Sequence, residues 1–397
     1  MEKVKAIIKG YDYILAILVL LLCAIGVLMI YSFGNGAGTP VMVANQFGSS
    51  WQRQLTYVIS GAVLMVILSF IDYRRITKFY VLIYGFMMAF LIIVRMIGAD
   101  EGTGVARWIW LPIPGIGSLS MQPSEFSKLF MILFLAKFLD VHRDRFNKIW
   151  CLGLVLVLIA VPVFLVTLQP SLSASLVILS LSLTVLFVGG LYYRTIIVGL
   201  GLIAPVAILG WLDMMRAEPL FLTSLLGNFQ WRRIETWRNS IFGLGEVLGR
   251  DEFRQTQQSL YAISSGGLTG RGFLNNSHVI HGHNDFIFSL IAEQFGFVGA
   301  TVVLLIIGVV IVRCILIALR AQDMQGRLIA AGVAGMLIFE TFVHVSVTTN
   351  FLPNTGMPFP FLSFGGSMIW VHLMAIGVVL NVKIPRPKGM FEADDEF

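Results

Sequence analysis

The chain is short of charge and nearly empty of cysteine. Only 13% of its 397 residues are Asp, Glu, Lys or Arg, about half the share usual in a soluble globular protein, so an ordinary water-facing surface cannot be assembled from it. The three cysteines, Cys23, Cys151 and Cys314, lie in or beside apolar runs at no metal spacing, which excludes a disulfide framework and a zinc site. Basic residues outnumber acidic ones, 28 to 22, but they are dispersed over turns and form no stripe, so nucleic acid is not expected as a partner. Internal repeats, low-complexity tracts and an inverted-repeat signal are also missing.

What is present is apolar length. Hydrophobic residues make up 57% of the chain, and they gather into runs of about 20, enough to cross a bilayer core. The runs predict an all-α polytopic membrane protein with ten transmembrane helices, at approximately 13–33, 54–71, 77–97, 122–139, 150–168, 172–189, 194–212, 286–312, 328–350 and 362–382. The first run follows Lys3, Lys5 and Lys9 but is too long for a signal-peptide core, which predicts an uncleaved anchor. Lys and Arg fall mostly on the segments that share a side with the N-terminus, while the short opposite loops hold only Arg53 and Arg107. Both termini are therefore expected in the cytoplasm, with the basic turns against anionic membrane lipids. The expected organisation is one transmembrane domain over residues 1–397, with a large outer-face loop at about 213–285 between spans 7 and 8.

Polar residues concentrate on the outer side. Within the large loop, "FQWRRIETWRNS" (229–240) and "RQTQQSLYAISSGGLTGRGF" (254–273) read as amphipathic surface helices that glycines then break into turns. A second outer loop, 98–128, combines Gly and Pro turns with Arg107 and Trp108 and re-enters the membrane through Gln122 and Pro123, a residue suited to a first helical turn. Glu125 and Lys128 follow on one helix face. They form either a neutral pair stapling two spans or a charged wall beneath an outer cavity. A third stretch, "LPNTGMPFPFLSFGGS" (352–367), including Gly365, Gly366 and Ser367, is irregular at membrane depth. It is either a cavity mouth or a packed re-entrant turn.

Two acids stand in "NDFIFSLIAEQFG" (284–296). If residues 285–295 are helical, Asp285, Ser289 and Glu293 share a face. Asp285 then reads as an N-cap or as a catalytic base, and Glu293 as a buried, protonated hydrogen-bond donor. The base reading draws on the cations expected nearby, Arg107, Lys128 and loop arginines, because a phosphate group needs cations and a hydroxyl nucleophile needs a base whose pKa a desolvated cleft raises. His278, His281 and His283 read as surface residues more readily than as a metal site.

The blocks "ARWIW…MQPSEFSK", "QPSLSAS", "QSLYAISSGGLTGRG", "HNDFIFSLIAEQFGFVG" and "LPNTGMPFPFLSFGGS" occur in this order over nearly the whole chain. Together they resemble the SEDS family (shape, elongation, division and sporulation). The resemblance implies a peptidoglycan glycosyltransferase in the bacterial plasma membrane that polymerises lipid II at the outer face and partners a class B penicillin-binding protein, the transpeptidase. It also implies that Asp285 is the catalytic residue, with Trp108, Glu125 and Lys128 beside it. Arg107, Gln122, Glu293, Gly365, Gly366 and Ser367 are further expected supporting or substrate-binding residues, and Mg or Mn is expected as an optional divalent cation. Elongation, division and sporulation stay open, and the alternative activities are lipid II flipping and non-catalytic scaffolding of a transpeptidase. Four positions depart from the family pattern: Ser171 stands for an acid, Asn284 for a threonine, and Glu340 and His344 for Gln and Asn. Glu340 and His344, four residues apart, are expected to hydrogen-bond each other.

Overall fold

The structure, a computed structural model, describes residues 10–37, 39–98, 108–113, 117–169, 171–216, 220, 228–243, 251–276 and 282–384. All ten apolar runs are helical, as lipid requires of backbone that can satisfy its N–H and C=O groups only within its own segment. They are α1 (Tyr13–Asn35), α3 (Ser50–Phe70), α5 (Tyr80–Ile97), α6 (Pro123–Val141), α7 (Ile149–Thr167), α8 (Leu172–Val188), α9 (Tyr193–Met214), α12 (Ile287–Leu319), α13 (Met324–Thr348) and α14 (Gly366–Lys383). Two short helices, α2 (Val41–Phe47) and α4 (Tyr73–Lys78), lie in connections, and α10 (Asn228–Phe242) and α11 (Asp251–Gly266) form in the large loop where amphipathic helices are expected. Among the described residues seven stretches are long and apolar enough to span a bilayer, α1, α12, α13 and α14 included. The class is therefore that of a multi-pass membrane protein.

One expectation fails. The fold is mostly but not wholly helical, because residues after Trp108 pair as an antiparallel hairpin, β1 (Ile109–Ile113) with β2 (Gly117–Met121), in the register Ile109 to Met121 and Ile113 to Gly117. Gly and Pro punctuation announces a turn in this loop but not the pairing of its flanks. Pro123 does open α6, as its fixed φ and missing N–H favour.

At the centre is α13, packed against α12, α8, α6 and α14. Its stretch Ala330–Gly335 is built of small residues and a valine, which lets neighbouring backbones approach closely in the manner of membrane helices. The most extensive helix pair is α14 with α3, where Trp370 Nε1 donates to Ser60 Oγ at 2.9 Å. At one end of the bundle Asp12 caps α1, accepting from Leu15 N at 3.1 Å, and also receives Lys383 Nζ from the last turn of α14 at 2.9 Å. The starts and ends of the described chain thus meet at that end. Running away from it, α12 spans 33 residues, about 50 Å at 1.5 Å per residue, and brings the chain to Asp285 at the other.

Candidate active site

Asp285 is not a cap. It lies in the turn 282–286, one residue before the position that caps α12, Phe286, which makes no side-chain capping bond. Ser289 and Glu293 are on the helix, but Asp285 stands outside it and is half-buried. The turn is fixed from outside: Phe364 N donates to His283 O at 2.9 Å, Ser363 Oγ to Asn284 O at 2.7 Å, and Gln54 Nε2 to Ser363 O at 3.0 Å. The 352–365 loop therefore acts as a mould for this turn. Its Phe359, Phe361 and Leu362 are fully buried, so its apolar side is a packed re-entrant turn, while its Asn354 lines a crevice together with Arg233. Asn284, in place of threonine, joins the mould through its backbone carbonyl, a contact indifferent to that exchange.

The cation beside Asp285 is Arg233 of α10, one loop arginine among several in the sequence. Gly356 adopts a left-handed φ of 66°, and a Cβ built on it would stand 3.4 Å from both Asp285 Oδ2 and Arg233 Nη1. Carboxylate and guanidinium thus converge on the space that the glycine leaves open. From there a crevice runs between α10, α11 and the loop, lined by Arg233, Thr236, Trp237, Thr256, Asn350 and Asn354 among others. Its walls are tied together, since Trp237 Nε1 donates to Asn350 O at 3.2 Å and Asn354 Nδ2 to Gln255 Oε1 at 3.2 Å. Buried Arg238 holds α10 to the end of α9 by donating to Met214 O and Arg216 O at 3.2 and 3.0 Å. The arrangement offers a base, a guanidinium able to grip phosphate, and polar walls.

Glu293 has a different task. It is fully buried and accepts from Arg271 Nη1 at 3.2 Å, so it serves as a paired acceptor in this contact and not as the expected protonated donor. Around it the turn after α11 clasps α12. Arg271 N and Gly272 N donate to Glu293 O and Gln294 O, and Phe297 N and Val298 N donate back to Gly267 O and Leu268 O, at 2.9 to 3.1 Å. The clasp sits at a break in α12 where Gly296 has φ 66°, and a Cβ there would meet Gly270 N and Leu268 O at 2.4 Å. Ser289 bonds to Ser259 Oγ of α11, which in turn donates to Thr348 O of α13.

Glu125 and Lys128 belong to a buried tetrad. Lys128 Nζ donates to Glu125 Oε2 at 2.8 Å and to Glu340 Oε1 of α13 at 2.7 Å, and Glu340 Oε2 meets His372 Nε2 of α14 at 2.6 Å. His372 Nδ1 lies 2.7 Å from Met368 O; a carbonyl can only accept, so that nitrogen carries a proton. One further proton shared between His372 Nε2 and Glu340 leaves the tetrad neutral overall. Lys128 is 2% exposed, so it staples α6 to α13 and is not presented to the crevice. The expected bond between Glu340 and His344 is absent, because Glu340 is taken by Lys128 and His372 while His344 Nδ1 bonds Met357 O at 2.8 Å and its ring stacks on Phe359. Partners 212 residues apart leave no local signature.

The remaining expected residues form a seam beside the tetrad. Gln122 N donates to Ser367 Oγ at 2.9 Å, Gly365 N to Gln54 Oε1 at 3.2 Å, and Gly366 lies beneath the Tyr57 ring. Trp108 and Gln122 flank the open end of the hairpin. Ser171 is buried at the start of α8 and makes no side-chain cap. Arg107, His278 and His281 lie outside the described residues, while His283 is buried against Phe33, Phe47 and Phe364. Among the described residues no group of three or more His, Cys, Asp or Glu side chains is gathered for a metal.

A family profile described as "Cell cycle protein", that of FtsW, RodA and SpoVE, matches residues 13–387. The chain belongs to this family, the SEDS proteins. Stage V sporulation protein E of Bacillus subtilis is 33% identical over 387 residues, covering 94% of this chain and 96% of that protein. A probable peptidoglycan glycosyltransferase FtsW of a Geobacter species is 30% identical, covering 94% and 97%. Among solved structures, a chain from a peptidoglycan synthase complex that coordinates polymerization and crosslinking superposes with a TM-score of 0.73 at 29% identity, covering 94% of this chain and 97% of that one. The rod shape determining protein RodA of Thermus thermophilus gives 0.64 at 29% identity, covering 94% and 96%. The likeness is thus one of whole chains, not of a shared fragment.

Proposed function

We propose that this chain is a peptidoglycan glycosyltransferase that polymerises lipid II at the outer face of the bacterial plasma membrane, as a single domain of ten spans with cytoplasmic termini. The naming of its relatives supports the activity. The meeting of α1, α12 and α14 ends around Asp12 supports an even number of crossings.

The observation that carries the site is the convergence of Asp285 Oδ2 and the Arg233 guanidinium at Gly356. Asp285 accepts the proton of a sugar hydroxyl on one lipid-linked disaccharide as that oxygen attacks the anomeric carbon of another. The new carbon–oxygen bond forms as the bond to pyrophosphate breaks, the leaving group takes the electron pair, and the anomeric centre inverts. Arg233 takes the role of offsetting charge on the leaving pyrophosphate, in place of Lys128, which is engaged elsewhere; Arg107 is a further candidate. Trp108, Gln122 and the Gly365–Ser367 seam support the substrate from the other side, and Glu125, Lys128 and Glu293 hold the scaffold. Among the described residues no carboxylate cluster is gathered for a metal, so Mg or Mn would be held chiefly by the substrate phosphates and water and would supply charge neutralisation, while Asp285 keeps the role of base. A class B penicillin-binding protein is the proposed partner, by analogy with the synthase complex that this chain resembles.

The test is polymerisation of lipid II by purified protein, with a separate assay of transbilayer movement. Asp285→Asn should lower polymerisation about 10²–10⁴-fold, the usual contribution of a general base, with the fold intact. Retained polymer formation, or lost lipid movement with unaltered polymerisation, overturns the assignment.

A further inference from the structure

A second built cavity lies at the opposite end of the bundle from Asp285. It offers about 220 Å³, open on one side, and is lined by Asp12, Arg313, Leu316, Ile317, Arg320 and Lys383. Among the described residues three cations face one carboxylate. That carboxylate is spent: Asp12 is 2% exposed, Oδ1 accepts from Arg313 Nη2 at 2.5 Å and Oδ2 from Lys383 Nζ at 2.9 Å. Burial pushes the Asp12 carboxyl up, but the bonds from Arg313 and Lys383 outweigh it and hold it below the usual carboxylate range.

The cations keep capacity to spare. A guanidinium has five N–H donors and an ammonium three, and Arg313 Nε is buried with no partner among the described residues. Arg320, the residue after α12, is exposed and has no ion-pair partner among the described residues. Asp12 therefore acts as a fixed strut that sets Arg313 and Lys383 side by side and leaves a net positive cradle. The next acid in sequence, Asp323, is occupied by Arg74 Nη2 at 2.6 Å and by the Tyr73 hydroxyl, so it does not neutralise the cradle.

The walls add an apolar requirement. Leu316 and Ile317 line the cavity, and Ile14, Ile17 and Leu319 on the adjoining turns of α1 and α12 are 54%, 63% and 70% exposed. A ligand that satisfies both halves carries a phosphodiester for the cations and an acyl chain for the helix faces. Basic pockets between transmembrane helices at the cytoplasmic surface take anionic lipid head groups.

We infer that the cavity at Asp12, Arg313, Arg320 and Lys383 is a binding site for an anionic glycerophospholipid of the inner leaflet. The site lies about the length of α12 from Asp285 and does not depend on the chemistry assigned there. The bound head group bridges the ends of α1, α12 and α14, so it locks the inner end of the bundle.

The test uses the full chain in phosphatidylcholine nanodiscs with and without phosphatidylglycerol, reading thermal stability and retention of phosphatidylglycerol by native mass spectrometry. Wild type should be stabilised by phosphatidylglycerol and retain it. Arg320→Glu, at an exposed position, should bind it at least about fivefold more weakly, the equivalent of about 1 kcal/mol per basic residue near a charged membrane surface, while Arg320→Lys should keep most of the effect. Arg143→Glu, an exposed charge reversal on the turn after α6, should behave as wild type. Equal binding by wild type and Arg320→Glu, or equal loss in Arg143→Glu, overturns the site. Full stabilisation by inorganic phosphate alone overturns the lipid assignment.

Discussion

Two charged groupings in this molecule have similar chemistry and opposite settings. At the Asp285 turn a half-buried carboxylate and a guanidinium converge on the open space over a glycine, and the guanidinium lines a crevice. In the Glu125–Lys128–Glu340–His372 tetrad every member is 6% exposed or less, and both lysine contacts are under 2.9 Å. The tetrad has spent its hydrogen-bonding capacity on itself, which suits a staple. The turn is instead half-buried, and its guanidinium lines a crevice. Charge inside a membrane protein is therefore not by itself a sign of chemistry; what separates the two is burial and the crevice beside one of them.

The comparison can be broken most sharply at Lys128. Lys128→Met leaves Glu340 and Glu125 facing each other without their cation and should cost about 3–5 kcal/mol of stability, the usual penalty for removing one partner of a buried pair. Asp285→Asn should cost under about 0.5 kcal/mol, as substitutions away from buried networks do. Thermal unfolding in detergent compares the two, and equal losses would erase the distinction. Next in size, Arg233→Ala should lower polymerisation about 10²–10³-fold, as loss of one preorganised donor does, with unfolding temperature unchanged. Arg233→Lys should recover part of it, because the charge remains but the bidentate fork is lost. Smaller again is Gly296→Ala, whose methyl would collide with the clasp. A stability loss of about 1–3 kcal/mol is expected from overpacking, together with reduced activity, since the helix stub that carries the Asp285 turn would shift. The smallest effect is acid sensitivity at the far end. Asp12, held below its ordinary value, contributes stability that is complete above the unfolded pKa of about 3.9 and lost as pH falls through the lower folded value. Unfolding temperature against pH should show this drop in wild type and not in Asp12→Asn.

Much of the fold was legible because apolar runs in lipid have one solution, and all ten of them are helices. The amphipathic segments of the large loop became α10 and α11 for a similar local reason. The hairpin 109–121 was not legible, since pairing depends on register and not on the turn residues alone. Asp285 stood out through its motif; its exact place, outside the helix in a turn moulded by residues 359–365, depends on contacts that come from about 80 residues away. Arg233 was hidden among several loop arginines because nothing local distinguishes the one that reaches Gly356. Glu340 was visible as an oddity but was given the wrong partner, since spacing on one helix says nothing about the lysine of another.

The clasp at Gly296 also sets where this chain can vary in length. An insertion between Gly266 and Gly272 would slip four backbone hydrogen bonds at once and turn the outer stub of α12, with the Asp285 turn attached, out of line. At Gly243, just past α10, the chain is exposed and a side chain would meet nothing within 4 Å. Extra residues at Gly243 are expected to leave the Asp285 turn in place, whereas the count between Gly266 and Gly272 is fixed by the clasp.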